Sequence, residues 1–369
     1  MFKPSAKIVV VPLAWIGLAS ASYAGPVYET GSGGTFTYSG QFNLAFTSFD
    51  DGEETTDQFA DNESSNSRIG FRIVQPFGDN QLTFRFETAF GFAASDEFSQ
   101  TSEPDDIDWD RTNLRHVDFQ YKTGFGTFYL GQGSMASDGI GDRSLAGTGL
   151  ASAVSIGDVA GGFEFRDSTG ALTGVEIGDA FANFDGTRAG RVRYDTPEFN
   201  GFTLSLAYGE NILSEGNDDE FYDIGLGYEA EIGTTEIEAG LGYQVRERPG
   251  SADREDVFGS VSVKLQSGVS LTFATGERDT AGTYFYGKIG YEADWLAVGS
   301  TAVSLDYYSG SDMVSVGDSS DSFGIALVQD FDQQNVEAYI GYRDYSYEDD
   351  TAATFQDASS FIIGARWRF

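Results

Sequence analysis

The sequence has no cysteine, one histidine, seven prolines, and 22 lysines and arginines against 58 aspartates and glutamates. Each shortage excludes something. Without cysteine there is no disulfide framework, so hydrogen bonding and packing must hold the chain. The lone histidine, His116, and the lack of a G-x-S-x-G stretch leave little for acyl-transfer chemistry, so no enzyme is expected. No run has EF-hand spacing and no glycine-rich loop is placed to cradle phosphate. The formal charge of −36 argues against nucleic acid, whose phosphates need lysine and arginine. Long apolar runs are missing too. Only Ile8 to Leu18 is continuously apolar, well short of the ~20 residues of a spanning helix. Any membrane crossing must therefore be made of strands.

What is present is aromatic and glycine-rich: 47 Gly, 31 Phe and 19 Tyr. With a negative mean hydropathy, this suits a structure that is apolar on one face only. The N-terminus combines Lys3 and Lys7, the short apolar run, and Ser22-Tyr23-Ala24. Residues 1–24 are expected to be a cleaved secretory signal peptide, and 25–369 the exported domain.

The chain closes on FIIGARWRF. There Phe361, Ile363, Ala365, Trp367 and Phe369 share one parity, and Ile362, Gly364, Arg366 and Arg368 the other. Such alternation marks a strand with unlike surroundings on its two faces. It recurs in QLTFRFETAF and VFGSVSVKL, and divides the chain into about sixteen segments from 35–47 to 358–369. Lengths of roughly nine to twelve residues suit tilted membrane strands. Short turns (PFGDNQ, KTGFGT, PEFNGF, LQSGVS) alternate with longer links, the first being SFDDGEETTDQFADNESSN. In an up-and-down barrel every second connection lies on one side, so this rhythm means one smooth and one elaborate rim. The expected fold is all-β: a sixteen-stranded antiparallel transmembrane β-barrel in a Gram-negative outer membrane.

The terminal Phe369, the rhythm of turns, the stretch LGQGSMASDG and the long link after it make the mature chain resemble the general porins of Gram-negative bacteria. That resemblance implies a passive diffusion channel for ions and small hydrophilic solutes, and a homotrimer. It implies that the last strand, with Trp367 and Phe369, is a signal for the barrel-assembly machinery. It also implies that the link between Ser134 and Arg188 is a third external loop folding into the barrel. A substrate-selective channel, or a non-conducting structural or adhesive barrel, are the alternatives.

A link of some fifty residues far exceeds ordinary loops of about four to six. Its apolar spots argue against plain disorder. It carries Asp138, Asp142, Asp158, Glu164 and Asp167, the candidate acidic side of a constriction. Parity puts Arg68, Arg72, Arg85, Arg191 and Arg193 on the lumen side as the basic wall. If Gly78-Asp79 is a two-residue turn, Arg72 faces Arg85, which needs compensation; Glu87 and water are one answer, the acidic loop the other. His116 is expected on a hydrated wall. Lumen charges of both signs nearly cancel on the strands, whereas the loop and rim are acidic, so moderate cation preference is expected. No cofactor is expected, apart from Ca²⁺ at the acidic external loops. The expected partners are the bilayer and lipopolysaccharide.

Overall fold

A computed structural model of the chain describes residues 25–279, 282–351 and 354–369. The expected signal peptide lies outside the described residues. The strands are β1 (Tyr28–Glu29), β2 (Thr35–Asp50), β3 (Thr55–Asp61), β4 (Arg68–Phe77), β5 (Asn80–Ala89), β6 (Leu114–Thr123) and β7 (Gly126–Ser134). A small hairpin, β8 (Glu164–Arg166) and β9 (Leu172–Glu176), follows, with one helical turn α1 (Ile177–Ala180). The wall resumes with β10 (Arg188–Asp195), β11 (Phe202–Glu210), β12 (Glu220–Ile232), β13 (Thr235–Glu247), β14 (Arg254–Lys264) and β15 (Val269–Arg278). It is completed by β16 (Thr283–Leu296), β17 (Gly299–Ser311), β18 (Ser319–Phe331), β19 (Val336–Glu348) and β20 (Ala358–Arg368).

Every neighbouring pair in the wall is antiparallel, and β20 returns to pair with β2, so the sheet closes. Sixteen wall positions result because β3 and β4 share one. β3 pairs with the upper half of β2 and β4 with the lower half. Between them a 3₁₀ turn, Glu63–Ser65, interrupts the strand, with the Asn62 side chain accepting from Ser64 N. Closure leaves no edge strand in the lipid, where unpaired backbone groups are costly.

The faces divide as the alternation requires. Leu204, Leu206, Ile224, Leu226, Phe273, Ile289 and Ile325 are exposed on the outside. Their opposite-parity neighbours Ser205, Ser260, Ser262, Thr272 and Ser304 are buried on the lumen side. The first external link departs from expectation. β2 runs on to Asp50 and turns directly into β3, and Asp51 is only 2% exposed. Its carboxylate caps Glu53 N and Glu54 N and holds Arg166 at 2.8 Å, so charge expected in a solvated loop is spent on structure.

The seam is finished by the last residue. Gly40 N donates to Phe369 O at 2.9 Å and Phe369 N to Gly40 O at 3.0 Å. A Cβ on Gly40 would come within 2.5 Å of the Phe369 ring, so only glycine fits there.

Candidate functional site: the long loop and the arginine wall

Residues 135–187 follow the inside of the barrel, and their small, polar sequence explains how. Backbone groups of a buried loop need partners, and here lumen-facing hydroxyls and carboxylates of the wall supply them. Asp223 accepts from Ala136 N and Ser137 N, Ser262 Oγ from Leu145 N, and Ser260 Oγ donates to Ile140 O. Thr148 meets Ser304 at 2.8 Å, and Ser152 Oγ donates to Asp306. On the way back Ser320 Oγ donates to Ala180 O, Tyr308 to Ala182 O and Gln244 to Phe184 O.

Apolar residues of the loop (Val154, Ile156, Phe163, Phe165, Phe181 and Phe184) pack with wall tyrosines 286, 308 and 345 in one cluster. Phe181 lies 5.5 Å from Tyr308, and Phe184 5.4 Å from Tyr284 at 79°, an edge-to-face contact. The apolar spots are thus an internal core within the lumen.

These anchors fall mainly on β12 to β18. Among the described residues no hydrogen bond joins the loop to β4, β5 or β6, which form the arginine wall. There Arg72 stands opposite Arg85, as the Gly78-Asp79 turn requires. Compensation comes from Glu87, which holds Arg85 at 3.0 Å, Arg115 at 2.9 Å and Arg68 at 3.7 Å. Arg191 is paired with buried Asp118 at 2.9 Å. Arg193 is pinned by Asp195 at 2.7 Å and donates to Met135 O, the first residue of the loop. Of the five arginines, Arg72 alone has no ion pair among the described residues.

The five loop carboxylates separate into two groups. Asp138 lies 3.8 Å from Arg188. Asp142 accepts from Val154 N, and Asp158 lies beside Asp96 and Glu63 of the preceding links. Burial first, then Glu63, Asp142 and Asp96, push the Asp158 carboxyl far above its ordinary range. The same cause, burial and then Glu63, pushes Asp96 up to about 7. Asp185 is raised by burial and then by Asp138, although Gly139 N and Gly141 N donate to it.

Glu164 and Asp167 lie elsewhere, on the β8–β9 hairpin. Glu164 accepts from Gly174 N, and Asp167 from Thr169 N and Ala171 N. The hairpin is tied to other external links through Arg166–Asp51 and Gln356, which bonds both Asp167 O and Glu53.

Arg115 escaped the parity argument, since it shares parity with outward Val117. A register shift between Glu87 and Thr88 turns it inward. Bulges re-aim side chains in this way, and no residue type in LRHVDF announces it. Glu63 and Asp96 were missed because they belong to other links. His116 is buried, 4% exposed, beside Glu87 rather than hydrated. Much of the wall charge is paired directly: Lys264–Glu292, Arg343–Asp306 and Arg366–Glu337 at 2.6–3.0 Å. Among the described residues no group of three or more acidic or histidine side chains is placed to hold a metal ion.

The chain superposes on solved outer-membrane barrels. An anion-selective porin from Comamonas acidovorans matches with TM-score 0.61 and 16% identity, covering 91% of this chain and all of that one. OmpT of Vibrio cholerae in its trimer form matches with TM-score 0.53 and 17% identity, over 91% and 99% of the two chains. The outer-membrane channel DcaP of Acinetobacter baumannii matches with TM-score 0.59 and 11% identity, over 94% and 100%. A search of curated proteins finds no match. The sequence profile of the Gram-negative porins matches residues 10–350. With that match across a closed sixteen-stranded barrel, the chain belongs to the Gram-negative porin family and is an outer-membrane diffusion channel.

Proposed function

We propose that this channel passes ions and small hydrophilic solutes with a moderate preference for cations, and that it works as a homotrimer in contact with lipopolysaccharide. The cation preference rests on one observation. Residues 135–187 inside the barrel carry eight carboxylates against two arginines, with Asp138 3.8 Å from Arg188, while most wall arginines are already paired. Carboxylates confined between low-dielectric walls raise the local cation concentration. Exposed charge is screened beyond about 10 Å at 0.1 M salt, so only the narrow part discriminates there.

Arg72 and the anion-selective relative favour the opposite sign, and a reversal potential under a salt gradient decides between them. Cation preference that shrinks when Asp138, Asp142 and Asp158 become Asn, more so at high pH where the buried Asp158 carboxyl ionises, supports the proposal; anion preference sinks it. Trimer formation is supported by the V. cholerae relative and by the phenylalanine-rich outer face of β2, β4 and β5, where Phe36, Phe84 and Phe86 each pack against Phe71. A channel rather than a plugged or adhesive barrel is expected to conduct in a planar bilayer. Trp367 and Phe369 are the proposed signal to the barrel-assembly machinery.

A further inference from the structure

The ladder between β6 and β7 ends at Val117 and Gln132. Beyond that point β7 continues to Ser134 against β10 only, reaching Arg188. Where the two strands part, a cavity of about 320 Å³ opens. This far exceeds the ~15 Å³ that one water needs. Its lining includes Glu63 and Arg115 from the lumen side, Gln132 and Arg188 from the strand ends, and Ile212 and Ser214 from the β11–β12 link.

Buried polar groups in it lack partners. Gln132 is 5% exposed, yet its Oε1 accepts no hydrogen bond. Arg188 Nε donates none, with Asp138 3.8 Å away. Native structures leave few such groups unsatisfied. Arg115 spends its Nε on Glu87 at 2.9 Å, and its Nη groups bind nothing else among the described residues. Arg115 and Arg188 meet the carboxylates of Glu87, Asp138 and Glu63 here, yet Arg188 Nε and the Nη groups of Arg115 are left as hydrogen-bond donors toward the cavity.

We propose that this cavity is a subsite for a small hydroxylated carboxylate, a hydroxy acid or sugar acid. Two planar guanidiniums match a carboxylate. An orphaned amide oxygen requires a donor, which a hydroxyl supplies and a simple carboxylate lacks. The Ile212 side chain, packed over Gly190, gives an apolar surface for the carbon skeleton. The cavity shares Glu63 with the acidic cluster and its Arg188 lies 3.8 Å from Asp138 of the loop, so the proposal is read from saturable block of the current and not from ion selectivity.

Current through the full-length channel in a planar bilayer tests it, with D-gluconate as the probe and glucose and acetate as controls. Gluconate is expected to reduce the current saturably, and each control to need about tenfold more, the worth of one charge-assisted hydrogen bond. Arg188→Gln and Gln132→Leu should each raise the half-blocking gluconate concentration by up to about tenfold. Ser214→Trp, on the external link, fills the cavity and should remove saturation. A heat-resistant folded band on a gel verifies each barrel. If Gln132→Leu does not fold, Ser214→Trp carries the decision. Linear, viscosity-like current loss with all three solutes, acetate acting as well as gluconate, or saturation unchanged in the folded variants overturns the proposal.

Discussion

Replacing Asp306 by alanine is expected to destabilise the barrel by about 3–5 kcal/mol, the usual cost of leaving a buried ion without its partner. Asp306 has no exposed side-chain surface, and it holds Arg343, itself 6% exposed, at 2.6 Å. Lys288 stands across from it in register and donates to Ser152 O of the loop. Removing the carboxylate therefore strands two cations and also deletes the acceptor of Ser152 Oγ. That last hydrogen bond adds about 0.5–1.5 kcal/mol. A double variant, Asp306→Leu with Arg343→Met, removes both members of the pair. Because a buried pair and an apolar replacement are often of similar stability, it should lose less than the single variant, leaving Lys288 as the residual cost. Urea unfolding in lipid vesicles, followed by tryptophan fluorescence, reads both. Equal losses in the two variants, or a single-variant loss below about 1 kcal/mol, would mean that the cluster is hydrated and that its burial contributes nothing. Ser152→Ala, with the ion pair intact, should cost only the hydrogen bond, together with noisier current from a looser loop.

Two further expectations concern the loop and the seam. Asp158 and Asp96 have raised pKa values, so the docked loop holds protons that the freed carboxylates would release. Docking is then most stable below about pH 4 and weakens as pH rises toward about 7, the value for Asp96, each whole pH step costing about 1.4 kcal/mol per carboxyl. Protease cleavage within residues 135–187 should rise over that window, and a flat or falling profile refutes the assignment. Deleting Phe369 removes two backbone hydrogen bonds to Gly40 and the ring contacts with Phe42 and Trp367. Surface levels of folded protein should fall well beyond what that contact area explains; normal levels would show that Phe369 is not a signal.

Much of the wall was legible because period-two alternation is a strong local signal with a single physical cause. All sixteen segments expected from QLTFRFETAF-like patterns occur as wall strands, most of them within two or three residues of the expected ends. The Arg72–Arg85 apposition followed from one turn. Pairing partners inside the lumen were not legible, because they join distant parts of the chain. Nothing near Asp51 points to Arg166, and nothing near Glu164 shows that its carboxylate closes a hairpin instead of facing the arginine wall. Arg115 was hidden by a bulge, where parity arguments stop working. The loop's apolar residues were visible, but that tyrosines 286, 308 and 345 of the wall would receive them was not.

The seam at Gly40 and Phe369 sets the order of events in biogenesis. Its partners are more than three hundred residues apart in sequence, so closing the ring is the most non-local step in the fold, and such contacts form late. Until the final strand is in place, both edges of the sheet present unpaired backbone, the kind of template on which chains aggregate. A chain that lacks β20 is thus an open sheet with two adhesive edges. Those two edges need shielding until β20 has docked on β2.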